Sequence, residues 1–224
     1  MKVNKNERKN KKKGSAQDMN VVYEKLNTYI SNKEFTFNLN EQPTVQEFES
    51  AIGEKTILVA ECKLNTHDNF PTKRKREYFN QKDNQYDGKK VDYKGLNSEW
   101  KDNTHEWLYF LAYDNRIVKL GMTITSLKSR YQSYSSGTSR AMKKGSCSTT
   151  NFIISECNTL AVSKGMSVKI YGIPVEKENA TINRFGLEKE CSYSIVREME
   201  TMLIESFKNC YSKKPVLCVQ EGVW

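Results

Sequence analysis

The chain has 224 residues, enough to bury a sizeable core, and its 36 lysines and arginines exceed its 27 acidic residues, giving a net charge of +9. This excess favours a polyanionic partner, although charge alone does not select one. No run approaches the roughly 18 consecutive apolar residues of a membrane-spanning helix, and the N-terminus has no apolar signal-peptide core. We therefore expect a cytoplasmic, intracellular protein without a membrane partner.

Cysteine and histidine usage narrows the kind of site that the chain can build. The six cysteines include no CxxC pair, and only His67 and His105 are available as imidazoles. This pattern argues against a zinc knuckle, a disulfide framework and a histidine-rich metal centre. We expect reduced thiols and a catalytic site, if there is one, that uses other side chains.

Composition divides the chain into four segments. The first is rich in lysine and almost free of apolar residues, so it is expected to be disordered, either as a DNA-gripping arm or as a solubilising tail. The predicted segments are a basic tail (1–16), an N-terminal α+β subdomain (17–66), a polar basic loop or insertion (67–104) and a core (105–224).

Local patterns in the N-terminal subdomain predict two helices and two strands. Apolar spacing from Val21 to Ile30 indicates one helix, and Thr44 with Glu47 forms a capping-box signature that opens the second. Runs of β-branched and aromatic residues predict strands at 35–39 and 56–62. The predicted unit is therefore a small mixture of helices and strands.

Two groups of basic residues are candidate DNA contacts. The first lies in the polar insertion, where aromatic residues among the lysines suit stacking on bases beside phosphate contacts. An ordinary solvated linker whose aromatics dock on the body is the alternative. The candidate residues are Lys73, Arg74, Lys75 and Arg76 in the insertion, and Arg140, Lys143 and Lys144 in the core.

A β-hairpin is predicted at the start of the core. An apolar stretch, a polar Asp-Asn-Arg break and a second apolar stretch follow one another there. A three-residue loop at 114–116 would pair Tyr109 with Gly121 and Leu111 with Lys119. Because side chains alternate between faces along a strand, Tyr109 and Lys119 then share a face. Gly121 leaves room beside the Tyr109 ring.

Two helices are predicted to present polar side chains next to this hairpin. One begins near residue 125 or 126, and its Arg130 and Tyr134 are neighbours on one surface because they are four residues apart. In a late helix, Glu200 falls on the same face as Val196, Leu203 and Phe207. A buried carboxylate needs a cation, either a metal ion or a basic side chain. For the spacer between the two helices, we predict strands at 151–155 and 167–173.

These blocks resemble the GIY-YIG nuclease superfamily over roughly residues 107–215. Trp107-Leu108-Tyr109 stands where the family has Gly-Ile-Tyr, and Lys119-Leu120-Gly121 stands where it has Tyr-Ile-Gly. A lysine in place of the second tyrosine is similar to a branch that contains some type II restriction endonucleases. Arg130 falls at the family's arginine, and Tyr134 stands where the family usually has histidine. The Glu200-x-x-Leu-Ile setting resembles the family's metal-binding glutamate, and Lys214-Pro215 follows without the family's asparagine.

The resemblance implies an α+β fold, with a small antiparallel or mixed sheet and flanking helices, extended by an N-terminal α/β segment. It implies a type II restriction endonuclease that hydrolyses phosphodiester bonds of double-stranded DNA and leaves a 5′-phosphate. Tyr109 would be the general base, assisted by Lys119, with Tyr134 beside them; Arg130 would stabilise the phosphate and Glu200 would hold Mg²⁺, or Mn²⁺ in its place. Cutting both strands of a palindrome favours a homodimer.

Other functions stay open from the sequence. A catalytically silent nucleic-acid-binding protein would bind DNA without metal-dependent cutting. A protein whose resemblance is accidental would bind weakly and release DNA at moderate salt. Among nucleases, a repair or phage or viral structure-specific enzyme would cut branches or flaps, whereas a restriction enzyme would cut one short sequence.

Overall fold

The computed structural model describes residues 18–65, 79–80, 85–86 and 90–218. In these ranges the helices are α1 (Met19–Asn27), α2 (Val45–Ile52), α3 (Leu127–Ser135), α4 (Ser139–Lys143), α5 (Thr149–Ser163) and α6 (Val196–Tyr211). The strands are β1 (Ile30–Ser31), β2 (Glu34–Phe35), β3 (Ile57–Leu64), β4 (Phe79–Asn80), β5 (Gln85–Tyr86), β6 (Val91–Gly95), β7 (Glu106–Tyr113), β8 (Arg116–Thr123), β9 (Val168–Val175), β10 (Glu178–Arg184) and β11 (Leu187–Tyr193).

A five-stranded antiparallel sheet in the order β6-β3-β9-β7-β8 forms the centre of the fold. Every residue of β7 is buried, because helices cover both faces of the sheet. Tyr109 and Leu111 pack on one face with residues of α3 and α5, and Leu108 and Phe110 pack on the other with residues of α2 and α6. The predicted α+β fold with an antiparallel sheet and flanking helices is confirmed.

The N-terminal region shows which local signals determine structure. The capping box is present, since Glu47 accepts a hydrogen bond from the Thr44 backbone N–H at 2.7 Å and Thr44 accepts one from the Glu47 N–H at 3.2 Å. The predicted strand at 56–62 is confirmed as β3. The predicted strand at 35–39 is wrong beyond Phe35, because the chain bends there and forms a 3-10 helix at Leu39–Glu41. Phe37 packs on the core, and its ring centroid lies 4.8 Å from that of Phe35.

Part of the predicted insertion enters the core. Residues 91–95 pair with β3 as the edge strand β6, and a 3-10 helix follows at Glu99–Lys101. Trp100 from this helix is buried, and a side chain at Gly95 would overlap its indole ring. We predicted a loop here because few apolar residues are spaced regularly. The run from Lys73 to Arg76 lies outside the described residues, as does the basic tail.

The spacer between α3 and α6 contains one correct and one wrong strand prediction. The strand predicted at 167–173 is confirmed as β9. The strand predicted at 151–155 is wrong, because these residues lie in the long helix α5, which begins after the N-cap Ser148. A short apolar run does not distinguish a strand from a buried helix segment. The Ser148 hydroxyl, which accepts from the Asn151 N–H at 3.1 Å, supports the helix.

The β7–β8 hairpin has the predicted register but a different loop. Tyr109 pairs with Gly121 and Leu111 with Lys119, as predicted. The turn has two residues, Asp114 and Asn115, both with positive φ (43° and 69°), which asparagine and aspartate tolerate. A bulge follows, so that β8 has one extra residue between the partners of Leu111 and its neighbour Ala112. The bulge restores the register that a three-residue loop would give.

Candidate active site

The candidate site lies at the edge of the central sheet formed by β8. Beyond its hydrogen bonds to β7, this strand is covered by the C-terminal segment. Leu217 N–H donates to the Val118 carbonyl at 2.7 Å, and the Cys218 thiol lies 3.5 Å from both the N–H and the carbonyl oxygen of Leu120. Two residues further along β8, the Met122 backbone lies close enough to the Glu200 carboxyl of α6 to lower its pKa. Side chains from the two faces of the sheet therefore meet around this edge.

Tyr109 is the centre of the hydrogen bonding in the site. Its hydroxyl lies 2.6 Å from the Tyr134 hydroxyl, and it accepts a hydrogen bond from Arg130 Nε at 3.2 Å. The Arg130 guanidinium also lies over the Tyr134 ring, 4.7 Å from its centroid. A Cβ at Gly121 would lie within 2.9 Å of Tyr109 Cε2 and closer still to Cζ and Oη. The predicted role of Gly121, to leave room beside the Tyr109 ring, is confirmed.

Charge and burial fix the protonation of two of these groups. Burial disfavours the charge of Arg130, but the adjacent Tyr109 and Tyr134 hydroxyls hold the pKa of its guanidinium above the ordinary value. Burial raises the pKa of the Tyr134 phenol well above its ordinary value, so it keeps its proton. Arg130 is therefore a permanent cation, and Tyr134 is available as a hydrogen-bond donor to Tyr109.

Glu200 approaches the site from the opposite face of the sheet. It is half-buried on α6, whereas Glu198 and Glu205 on the same helix are exposed. Burial raises the pKa of the Glu200 carboxyl, opposed first by the charge of Lys119, then by Arg130 and by the backbone hydrogen bond from Met122. Lys119 is 8% exposed. The helix phase thus makes Glu200 the inward-facing carboxylate, as the sequence predicted.

The structure brings together all five residues that the sequence selected for catalysis. Direct contacts join Tyr109, Arg130 and Tyr134, and Glu200 interacts electrostatically with both Lys119 and Arg130. The set is Tyr109, Lys119, Arg130, Tyr134 and Glu200.

The donor set limits which metal ion can bind. In the part of the chain that the structure describes, no group of three or more histidine, cysteine, aspartate or glutamate side chains is placed to hold a metal. Glu200 is the carboxylate of the site, and a single carboxylate suits a hard cation such as Mg²⁺, which keeps most of its ligands as water and phosphate oxygens. It does not suit a structural zinc ion, which needs four protein ligands.

A third tyrosine of the cluster was not selected from the sequence. Tyr131 is buried, its ring lies 5.3 Å from the rings of both Tyr109 and Tyr134, and among the described residues its hydroxyl has no hydrogen-bond partner. Leu127, Tyr131 and Tyr134 are spaced i, i+4 and i+7, which is the pattern of a buried helix face. That spacing was the available signal.

The predicted basic contacts are only partly described. Arg140, Lys143 and Lys144 are exposed in and just after the short helix α4, which follows α3 after three residues. Buried Met142 holds α4 against α1 and α5. Contact of these residues with DNA stays a prediction. The other predicted group, from Lys73 to Arg76, lies outside the described residues.

A separate cavity of about 450 Å³ lies near the start of β7. Its walls include Lys101, Asp102, His105, Trp107 and Pro174, and none of the five candidate catalytic residues. Within it, His105 Nδ1 lies 2.7 Å from Asp102 Oδ2. The cavity does not belong to the candidate active site.

Comparison with known proteins gives similarities to two solved nuclease structures. No family model matches the chain, and no curated protein matches it. The restriction endonuclease HPY188I in complex with product DNA is 24% identical, with a TM-score of 0.48, over 82% of this chain and 90% of that one. A mutant of bacteriophage T4 EndoII is 16% identical, with a TM-score of 0.44, over 74% of this chain and 95% of that one.

The residues of this chain that bear on its function lie on both faces of the sheet. Those residues are the tyrosine–arginine group on one face of the sheet and the carboxylate on the other.

No helix in the described ranges combines the length and apolar character needed to cross a membrane.

Proposed function

We propose that this chain is a metal-dependent endonuclease that hydrolyses phosphodiester bonds of double-stranded DNA. The observation that carries this proposal is the hydrogen bonding of the Tyr109 hydroxyl to both Arg130 and Tyr134, beside a half-buried Glu200 that faces Lys119 and Arg130. Phosphodiester hydrolysis needs an activated water, stabilised charge on the phosphoryl group and help for the departing oxygen. We assign each of these tasks to a residue of the site or to the cation that it would bind.

Tyr109 is proposed as the general base that takes a proton from the attacking water. Its oxygen accepts a hydrogen bond from Arg130 Nε. It accepts a second one when the protonated Tyr134 hydroxyl donates to it. Both bonds place donors beside that oxygen, where charge would develop during proton transfer. Lys119 shares a face of the hairpin with Tyr109 and adds positive charge nearby. A tyrosine in an ordinary apolar core lacks these partners.

Arg130 is proposed to bind the phosphate oxygens. Its Nε donates to Tyr109, and this bond orients the planar group, whose fork of donors suits phosphate oxygens. The pKa of the guanidinium is raised above its ordinary value by the adjacent tyrosines, so Arg130 is charged at neutral pH. Lysine is a poorer substitute here because it has one charged nitrogen and no planar fork.

Glu200 is proposed as the protein ligand of one hard divalent cation, Mg²⁺ or Mn²⁺. When bound, this ion supplies Lewis-acid polarisation of phosphoryl oxygens. The protein contributes a carboxylate that is held by the Met122 backbone and by nearby cations. Since burial raises the pKa of Glu200, a bound cation compensates for the cost of its negative charge.

We further propose a type II restriction activity, in which one short DNA sequence is cut on both strands. The support for this finer assignment is the resemblance of the Lys119-Leu120-Gly121 block to the lysine-containing branch of the GIY-YIG superfamily. The exposed Arg140, Lys143 and Lys144 beside α3 are proposed DNA contacts. A structure-specific nuclease of the same superfamily would instead cut branched or flapped substrates.

The test is cleavage of a long duplex DNA in Mg²⁺, in Mn²⁺ and in EDTA. Tyr109→Phe, Arg130→Ala and Glu200→Ala each remove one proposed function. Tyr131→Phe is the matched control for Tyr109→Phe, because the Tyr131 hydroxyl has no hydrogen-bond partner among the described residues. Glu198→Ala is the control for Glu200 because it is exposed on the same helix.

The proposal predicts discrete fragments with either metal ion and none in EDTA. It predicts loss of cutting in the three site variants and retention in the two controls, with all five proteins folded by circular dichroism. Intact duplex in every lane, with DNA binding that survives moderate salt, would instead identify a silent DNA-binding protein. Cutting of flaps but not of duplex DNA would support the nuclease assignment and contradict the restriction assignment.

A further inference from the structure

The hairpin β10–β11 stands apart from the central sheet. It lies between β9 and α6 in the sequence and pairs only with itself as a two-stranded sheet. Within the described ranges it makes no sizeable contact with another helix or strand. A two-stranded hairpin alone is at best marginally stable in water. The hairpin therefore lacks packing within a single copy of the described chain.

The register of the hairpin assigns each side chain to a face, because residues directly opposite each other share one. One face is polar and carries Asn179, Thr181, Asn183, Glu188, Glu190 and Ser192. The other face, called here the apolar face, carries Glu178, Ala180, Ile182, Arg184, Leu187, Lys189, Cys191 and Tyr193. Leu187 is 73% exposed, and about half of Ile182 and Tyr193 is exposed. The hairpin thus presents apolar side chains to solvent on one side.

The turn of the hairpin adds a large exposed ring at its far end. Phe185 and Gly186 both have positive φ, 55° and 72°. Turns of this kind favour asparagine or glycine at the first position, and a bulky residue there is strained. The Phe185 side chain is 99% exposed. An apolar group of this size is held at the end of the hairpin against its backbone preference.

We propose that the apolar face packs on the same face of a second copy of this chain, around a two-fold axis and with the two hairpins antiparallel. Glu178 lies at the base of the face and Arg184 at its far end. Turning one hairpin end for end places each Glu178 opposite the partner's Arg184. The small pair Ala180 and Cys191 then faces the bulkier pair at 182 and 189. A surface that complements itself under a two-fold rotation is what an isologous dimer requires.

Charge favours a second copy over DNA as the occupant. The chain as a whole carries a net charge of +9, but residues 178–193 contain two basic and three acidic side chains, a net charge of −1. Binding to a phosphate backbone depends on basic residues. Glu188 and Glu190 on the polar face would approach the phosphates unfavourably. A nearly neutral, one-sided apolar hairpin is better suited to a protein surface.

The size of the hairpin sets the expected strength of the dimer. Seven residues per strand at about 3.3 Å each give a face about 23 Å long. Two strands about 5 Å apart make the face about 10 Å wide, so its area is on the order of 230 Å², below the roughly 800 Å² that each partner buries in a standard interface. The dimer should therefore dissociate on dilution.

Such a dimer would also fix the spacing of two candidate active sites. The hairpin continues through Ser194, whose hydroxyl donates to Glu106 Oε2 at 2.7 Å, directly into the helix that carries Glu200. The association itself does not depend on nuclease activity. It can therefore be tested in the absence of DNA and metal.

The test is the molar mass of the full chain by sedimentation equilibrium over a concentration series. The mass should rise from 26.0 kDa toward twice that value with concentration. Glu178→Arg and Arg184→Glu each place like charges opposite one another twice in the dimer, so each should weaken association by roughly tenfold. The double exchange Glu178→Arg with Arg184→Glu should restore it. Glu190→Arg, on the polar face, should associate like the wild type.

Several outcomes would overturn the proposal. The wild type could remain at the monomer mass throughout the series, or both single exchanges could associate as the wild type does, or the double exchange could fail to restore association. A monomer in which Arg184→Glu weakens DNA binding and Glu178→Arg strengthens it would identify DNA as the occupant. Because the hairpin is exposed, these substitutions leave the central core unchanged, and circular dichroism checks this.

Discussion

The two sides of the candidate site are built differently. On one face of the sheet, hydrogen bonds of 2.6 and 3.2 Å join Tyr109 to Tyr134 and Arg130; both tyrosines are fully buried and Arg130 is half-buried. On the other, Glu200 is half-buried and balanced by the charges of Lys119 and Arg130 at longer range. In the proposed function, the tyrosine side is preorganised for proton transfer and phosphate binding, and the glutamate side would bind a divalent cation. Substitutions on the two sides should therefore have different consequences.

The largest effect is expected for Tyr109→Phe. This change removes the proposed base and leaves the ring in place, so cleavage should fall by about 10²–10⁴-fold. Binding of the same duplex in EDTA should change little, because Arg130 and the basic surface remain. Single-turnover cleavage rates and gel-shift titrations measure the two quantities. A fall in binding as large as the fall in rate would show that Tyr109 contributes to affinity rather than to proton transfer.

Arg130→Lys should lower the cleavage rate by about 10²–10³-fold, since it keeps a positive charge but loses the planar fork and the geometry of the bond to Tyr109. Lys128→Arg on the same helix changes a partly exposed cation outside the site and serves as its control. The measurement is the cleavage rate at saturating enzyme. A wild-type rate for Arg130→Lys would mean that charge alone suffices at this position.

Gly121→Ala should mainly affect packing. The added methyl group would overlap the Tyr109 ring, and overpacking of a buried site costs about 1–3 kcal/mol. The free energy of unfolding in urea measures this cost. Gly165→Ala is a comparison in open space, although its positive φ of 78° carries a cost of its own. An unchanged unfolding midpoint for Gly121→Ala would show that Tyr109 moves aside freely.

The smallest effect on folding stability is expected for Glu200→Gln in the absence of metal, and this effect should depend on pH. The folded state raises the pKa of Glu200 above the unfolded value of about 4.5, mainly through burial. Between these two pKa values the folded state binds more protons than the unfolded state, so the ionisation of Glu200 destabilises the fold progressively as pH rises. The glutamine variant lacks this penalty. It should be more stable than the metal-free wild type at neutral pH, and the difference should shrink as the pH falls through the folded pKa toward about 4.5 and be absent below it.

Urea unfolding from pH 4 to pH 7, with Glu198→Gln as the exposed control, measures this difference. Added Mg²⁺ should reduce it at neutral pH, because an ion that binds only the folded wild type stabilises it by mass action. A difference that is independent of pH, or a variant less stable than the wild type at neutral pH without metal, would contradict the assignment of Glu200 as a carboxylate with a desolvation cost.

Much of the tyrosine side could be predicted from the sequence, because strand alternation and helical spacing place Tyr109, Lys119, Arg130 and Tyr134 without reference to distant residues. The predicted strand register is correct although the predicted loop length is wrong, because the bulge in β8 adds the residue by which the loop is shorter. Tyr131 was missed because its role depends on rings from other elements. The strand predicted at 151–155 failed because a short apolar run fits a helix equally well.

The edge of β8 could not be predicted. Its cover consists of contacts from residues about 80 to 100 positions later in the chain, at Glu200, Leu217 and Cys218. No local pattern specifies such pairs. The helix phase did predict that Glu200 faces inward, but not that the Met122 backbone and Lys119 would meet it.

The measurement that most directly tests the nuclease assignment is cleavage of duplex DNA by three proteins side by side: the wild type, Glu200→Gln and Glu198→Gln, each with Mg²⁺ and with EDTA. We predict fragments carrying 5′-phosphates from the wild type and from Glu198→Gln in Mg²⁺ alone, and intact DNA from folded Glu200→Gln. Equal cutting by all three proteins, or cutting that persists in EDTA, would contradict a metal-dependent site at Glu200.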